Sequence, residues 1–290
     1  MKHFSNEKTI CDFSTTDSFI GVVESEETFL VETKDCFGNQ IKAENQVLSS
    51  LSWDSINPCT GPIMIKNAHI GEVLKIEIIN IELGTQGIII KDHGDLQRFH
   101  IEEPEKSILV EIQDNKRINY RGKSFDVKPM IGVIGVLTEE NQLTTLPGIN
   151  GGNMDNSSIT IGSTVYLPVL REGAGLAIGD LHASMGDGET TGCGIETNGI
   201  VKIKVTVITE KHLPLPFVET KEKYITVASA DTLDKAVDMA ASNMNEFLIK
   251  SKHLNSDEAW IIMTMYSDIR VCQVANRLKT ARCEIKRNLL

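Results

Sequence analysis

Between Asp180 and Glu196 the chain places four acids and a histidine: Asp180, His182, Asp187, Glu189 and Glu196. Carboxylates and imidazole are the oxygen and nitrogen donors of divalent cations, and a spare carboxylate can move protons. Read as a strand, Ala177–Ala183 puts Ile178, Asp180 and His182 on one face by its period of two. Two ligands then converge without help from a distant segment. The strand runs into Ser184-Met-Gly-Asp-Gly-Glu-Thr-Thr-Gly192, a polar loop whose glycines let the backbone turn sharply and approach a small ligand. A second polar loop, Leu146–Asn156, adds Asp155 as a further ligand and Asn153 as a hydrogen-bond partner for a substrate carbonyl. The same residues have a plainer reading. Asp180 and His182 would be a satisfied pair, and Asp187-Gly188 and Asn153–Asp155 ordinary turns.

Three other places merit attention. Asn57-Pro-Cys-Thr-Gly-Pro62 reads as a rigid connection. Lys91-Asp-His-Gly-Asp-Leu-Gln-Arg-Phe-His100 is rich in reactive side chains but fits a solvated loop better than a site. Cys193, beside the acidic loop, is a minor candidate nucleophile; its Gly-Cys-Gly setting equally suits close strand packing.

The elements that must position these residues are mostly strands. Ile20–Glu24, Thr28–Thr33, Val73–Leu83, Gly87–Lys91, Ile108–Gln113, Ile131–Leu137 and Ile200–Thr209 are short β-branched runs cut by Gly, Pro, Asn and Asp. The last of these alternates cleanly enough to have one wet face. Such punctuation favours a barrel or sandwich over βαβ units. Beyond Tyr224 the texture changes. Tyr224–Ser229 is a strand, Asp231 caps a helix reaching about Ser251, and Ser256 opens a second helix that runs from Ala259 to about Ser267. Strand character returns at Val271–Val274 and Ala281–Lys286. The expected fold is therefore mainly β, a barrel- or sandwich-like body over 1–215 carrying the site. A smaller α+β portion over 216–290 is packed on it, with Pro214-Leu-Pro216 as the seam.

Composition sets outer bounds. Forty acidic against 29 basic residues give a net charge of -11, which disfavours phosphate backbones and anionic membranes as partners. The six cysteines are scattered, with no pair at zinc-ribbon spacing, as expected of free thiols in a reducing cytoplasm. No secretory leader is recognisable, and no apolar run approaches the ~20 residues of a membrane span.

Several of these segments, taken in order, resemble the acetamidase/formamidase family: Asn57–Pro62, Pro129-Met-Ile-Gly-Val-Ile-Gly135, Pro147–Asp155, Tyr166–Val169, Gly179–Glu189 and Ser267–Asn276. They span nearly the whole chain, and Gly179–Glu189 is the most specific. The resemblance implies a mostly β fold with an α+β end, a homo-oligomer (a dimer), and hydrolysis of a short amide to carboxylate and ammonia. It also implies a divalent metal, zinc ahead of calcium. Carried onto this chain, its polar pattern falls on Asn153, Asp155, Asp180, His182, Asp187, Glu189 and Glu196. Asp155, Asp180, His182 and Glu196 are then the expected metal ligands. A metal-activated water would attack the amide, Glu189 and Asp187 moving protons and Asn153 stabilising the oxyanion. The chain departs from the family's apolar, glycine-rich stretch at Asp92–Leu96, which bears on the pocket wall. A nucleophile-elbow G-x-S-x-G and a Ser/Lys amidase loop are absent from the sequence. Two competing readings remain: a non-catalytic binding module on the same scaffold, and a hydrolase of a carbamate or urea derivative.

Overall fold

The computed structural model describes residues 1–14, 18–46, 48–210 and 212–290. Among these, the β-branched runs form two large sheets, one of nine strands and one of twelve. The long Val73–Leu83 strand lies antiparallel to Gly199–Ile208, from Val73 opposite Ile208 to Leu83 opposite Gly199, with a one-residue register shift between Lys202 and Ile203. Thr28–Thr33 flanks Gly199–Ile208 on its other side. Phe29, Val31, Ile76 and Val201 of this sheet meet Ile63, Ile131, Ile134 and Ile178 of the other in one apolar core. Each such side chain contributes roughly 1.5–3 kcal/mol by leaving water, so two sheets with one apolar face each are driven together. Gly199–Ile208 alternates as its sequence suggests, but its outward residues are half-buried rather than fully wet.

The C-terminal segment extends the nine-stranded sheet. Phe217–Glu219 pairs with Thr164–Pro168 and Lys223–Ala230, and Lys279–Lys286 follows, with Asp268–Gln273 at the edge. Helix α2 (Leu233–Lys250) covers these strands through Ala240, Met244, Phe247 and Leu248, which pack with Phe217, Cys283 and Ile285. Its cap is Thr232, whose hydroxyl accepts from the Lys235 N–H; Asp231, the expected cap, instead pairs with the Lys235 ammonium at 2.8 Å. Helix α3 (Ser256–Tyr266) begins three residues before the expected Ala259, because Asn255 and Glu258 form a reciprocal capping box.

One expected loop is a helix. Asp92 accepts from the Asp95 N–H at 2.8 Å, starting the short helix α1 (His93–Arg98) with Leu96 buried beneath it. That cap outweighs the polar composition that reads as solvated loop.

Candidate metal centre

The Leu176–His182 strand is central in the twelve-stranded sheet and buried throughout. Its alternation does not run unbroken. Leu176 and Ile178 point into the shared core, and so do Leu181 and Ala183, so the faces exchange between them. The exchange occurs at Asp180, which has a left-handed φ of 57° and interrupts pairing with the neighbouring Met130–Gly135 strand. Ile178 therefore does not share a face with His182, contrary to a strict period of two. Left-handed backbone at a non-glycine residue costs on the order of 1–3 kcal/mol. Asn57, Asp155 and Glu189 adopt it too.

These turns bring Asp155, Asp180, His182, Glu189 and Glu196 to one place, each at most 6% exposed. The His182 Nε2 atom lies 3.1 Å from Glu196 Oε2, 3.3 Å from Asp180 Oδ1 and 4.0 Å from Asp155 Oδ1. None of these contacts is aligned as a hydrogen bond. Among the described residues, both ring nitrogens, Glu196 Oε2 and Glu189 Oε2 are buried atoms without a hydrogen-bond partner. Oxygen or nitrogen atoms held ~2.0–2.1 Å from one tetrahedral ion stand ~3.3 Å apart, so the two shorter spacings match. Asp155, His182 and Glu189 also offer ligand atoms within 4.8 Å of one another. Among the described residues His182 is the only basic side chain within ion-pair distance of Asp155, Asp180 or Glu196. A cluster of buried carboxylates without basic partners is costly unless cations or protons occupy it, and the donor set fits a divalent cation.

Space for the carboxylates comes from glycine. A Cβ on Gly132 would stand 2.6 Å from Asp180 Oδ2 and 2.7 Å from Asp155 Oδ1, and one on Gly194 only 2.5 Å from His182 Nδ1. Three asparagines fix the orientations. Asn57 donates to Asp180 Oδ2 at 3.2 Å and Asn276 to Asp155 Oδ2 at 3.1 Å. With its nitrogen turned to the acids, Asn153 donates to Asp155 Oδ2 at 3.0 Å and Asp180 Oδ2 at 3.1 Å, while its oxygen accepts from Asn57 and Asn276. The amide expected at a substrate carbonyl is thus spent on holding carboxylates.

Burial, and then the facing Asp180, push Asp155 up to about 7. Burial likewise takes Glu196 to about 7, against the pull of His182. Glu189 goes furthest, to about 10, through burial and then Asp155. For His182 burial favours the neutral ring, yet Glu196 and Asp180 outweigh it and hold the pKa well above the usual histidine range. Without a cation, then, the cluster keeps protons in the space between its acids.

The remaining sequence candidates lie at the margin. Asp187 accepts from Ser157 Oγ at 2.6 Å and from Arg282 Nη2 at 2.7 Å; these bonds outweigh its burial and hold its carboxyl below the usual range. The Arg282–Asp187 bond ties the Gly-rich loop to the C-terminal sheet, where Arg282 also donates to Glu284 at 2.6 Å. Gly188 adds backbone bonds to Cys272 and Val274, both 3.0 Å. Cys193 has its thiol against the Ile90 carbonyl, and burial followed by Glu196 raises its pKa to about 12, so it carries no thiolate for attack. Asn57, Asn276 and Arg282 were not legible as site residues. The first lies in a stretch that reads as a connector, and the other two are remote in sequence; the motif-like Ser267–Asn276 tail includes Asn276 but stops short of Arg282.

A cavity of about 420 Å³ opens onto the cluster, lined by Phe37, Trp53, Ile56 and Ile90 and by Asn153, Asp180, Glu189, Glu196 and Asn276. The His93–Arg98 helix, in the stretch that departs from the family pattern, braces this opening. Arg98 donates to the Thr190 carbonyl at 2.8 Å, and Asp95 packs on Gly192.

The family model for acetamidase/formamidase proteins matches residues 17–145 and 136–224. This chain belongs to the acetamidase/formamidase family. It superposes on a crystal structure of acetamidase from Bacillus halodurans with a TM-score of 0.95 and 40% identity, over 99% of this chain and 98% of that one. An acetamidase structure from Yersinia enterocolitica gives a TM-score of 0.92 at 26% identity, over 99% and 92% of the two chains. A formamidase of Methylophilus methylotrophus is 26% identical over 65% of this chain and 61% of its own length. The chain spans about three-fifths of the length of the curated formamidase relatives it matches. A gamma lactamase from Delftia acidovorans, 20% identical with a TM-score of 0.64, shares the fold.

Proposed function

We propose that this chain hydrolyses the C–N bond of a short linear amide, releasing a carboxylate and ammonia, at a divalent cation centre. The observation that carries the reading is the spacing of His182, Asp180 and Glu196 in a buried cluster where, among the described residues, both His182 ring nitrogens and Glu196 Oε2 have no hydrogen-bond partner. Membership of the family and the names of its relatives support the substrate class.

His182, Asp180 and Glu196, with Asp155, would hold the cation. Bound there, a divalent ion, zinc ahead of calcium, would polarise the amide carbonyl and make water acidic enough to attack at neutral pH. The protein's own groups do the rest. Asn57, Asn153 and Asn276 keep the acids aimed at the cavity. Glu189 borders the cavity with one oxygen unbonded. It takes the proton of the attacking water and returns it to the departing nitrogen as the C–N bond breaks, work worth about 10²–10⁴-fold in rate. Asp187, bound to Arg282 and Ser157, holds the loop that carries Glu189 in place.

Ammonia release from formamide, acetamide, simple carbamates and urea, by wild type and by Glu189→Gln, tests this reading. Turnover of the amides with a large loss in Glu189→Gln is expected. Turnover of none by the wild type would favour a binding module, and turnover of carbamates or urea alone the alternative hydrolase.

We propose further that the protein is a homodimer. Helix α3 leaves Trp260, Ile261 and Met265 more than half exposed, next to the free edge of the Asp268–Gln273 strand. An apolar helix with so little buried is the kind that a second copy covers. Sedimentation analysis should find a dimer that Trp260→Glu weakens; a wild-type monomer would refute it.

A further inference from the structure

Cys36 sits in a turn braced against the centre. Asp35 Oδ1 accepts from the N–H groups of Phe37 at 2.9 Å and Asn39 at 2.8 Å, which closes the turn. The Cys36 carbonyl accepts from the Asn57 N–H at 2.7 Å, and the Asn57 side chain holds Asp180. One residue therefore ties the cysteine turn to a carboxylate of the cluster. The Cys36 sulfur, one oxygen of Asp180 and one of Glu196 all lie within 4.8 Å of each other, and all three residues are buried.

Its neighbours in kind are differently engaged. Cys59 donates to the Asn57 carbonyl, Cys193 to the Ile90 carbonyl, and Cys272 accepts from Arg282. The Cys36 side chain lines the cavity beside Glu196, which is 1% exposed and whose Oε2 has no hydrogen-bond partner among the described residues. A buried sulfur and a buried, unpartnered carboxylate oxygen face the same small space.

We infer that Cys36 is a sulfur ligand of the cation centre and biases it toward a thiophilic ion such as zinc or cobalt over calcium. The inference rests on the reading that His182 and the acids hold a divalent cation. Calcium is satisfied by six to eight oxygens, whereas thiolate ligands favour softer ions. On binding, the S–H bond breaks, its proton leaves to solvent, and the sulfur electron pair is shared with the ion. No redox partner is needed. The ion's choice is thereby set by a residue outside the Gly179–Glu189 motif.

Cobalt(II) loaded into the full-length protein gives the test. Wild type should bind the ion and show a near-ultraviolet sulfur-to-cobalt charge-transfer band. The band should vanish in Cys36→Ser and Cys36→Ala and survive in Cys193→Ser, with folding checked by circular dichroism. In zinc/calcium competition, Cys36→Ser should lose at least about tenfold of the preference for zinc, a difference of ~1.4 kcal/mol. Cobalt bound without such a band, or a band unchanged in both Cys36 variants, would overturn the sulfur ligand and leave the cation centre standing. Failure of wild type to bind cobalt or zinc at all would overturn the cation centre, and the sulfur ligand with it.

Discussion

Gly132→Ala isolates the spacing of the carboxylates from their identity. Gly132 bears no functional group, and its backbone is not among those with positive φ, so alanine meets no conformational penalty there. Its added methyl would fall 2.6 Å from Asp180 Oδ2 and 2.7 Å from Asp155 Oδ1, against 3.4 Å or more for ordinary contact. Each oxygen must then retreat by about 0.7 Å, or the strand must shift, and overpacking of this kind costs ~1–3 kcal/mol. A displacement approaching 1 Å in a reacting site lowers rates by up to ~10²-fold. Ammonia release from acetamide or formamide should therefore fall by about 30–100-fold in kcat/KM. Cation content should fall with it, while the far-ultraviolet circular dichroism stays unchanged and Tm drops by only a few degrees. Activity within about threefold of wild type, with full cation content, would refute the claim that the Asp155–Asp180 spacing defines the centre.

Other perturbations probe the supports. Arg282→Met should destabilise the fold by about 1.5–3 kcal/mol, because Asp187 and the buried Glu284 lose a shared charged donor while Glu284 keeps Lys223 and Asp187 keeps Ser157; thermal melts check it, and a change below about 0.5 kcal/mol would count against that brace. Cation-free protein should be less stable at pH 8 than at pH 5. Asp155 and Glu196, near 7 when folded, keep protons that the unfolded chain releases from about pH 4 upward, so stability is lost as pH rises through 7. Added divalent ion should remove this trend, and melts at both pH values with and without chelator would reveal its absence. Asn57→Ala should lower kcat and cation affinity together, since it frees Asp180 while the backbone N–H that alanine keeps still holds the Cys36 carbonyl; an effect on KM alone would speak for direct substrate contact instead.

Much of the fold is written in local pattern. The Val73–Leu83 and Gly199–Ile208 strands and the helix ending near Ser251 follow from β-branched runs, breakers and helical spacing. What the pattern misses are single residues that override it. Asp180 reverses the faces of its own strand, an event that no periodicity announces, and so Ile178 joins the core rather than the site. Asp92 turns a polar stretch into a helix through one cap. At the site, the clustered acids of 180–196 and the Asn153–Asp155 pair are visible because they are dense in sequence. Cys36, Asn57, Asn276 and Arg282 reach it only through the fold; Arg282 is 95 positions from its partner, Asn276 121 and Asn57 123. Asn57 shows the limit well, since a residue that reads as part of a rigid connection is the brace between a carboxylate and the backbone of the Cys36 turn.

The most direct test is cation content measured alongside turnover on the same sample. Purified protein should carry a divalent ion and release ammonia from a short amide. Dialysis against chelator should remove both, and stoichiometric zinc should restore both. A protein shown by elemental analysis to be free of divalent ions, yet hydrolysing the amide at the undiminished rate, would contradict the cation centre.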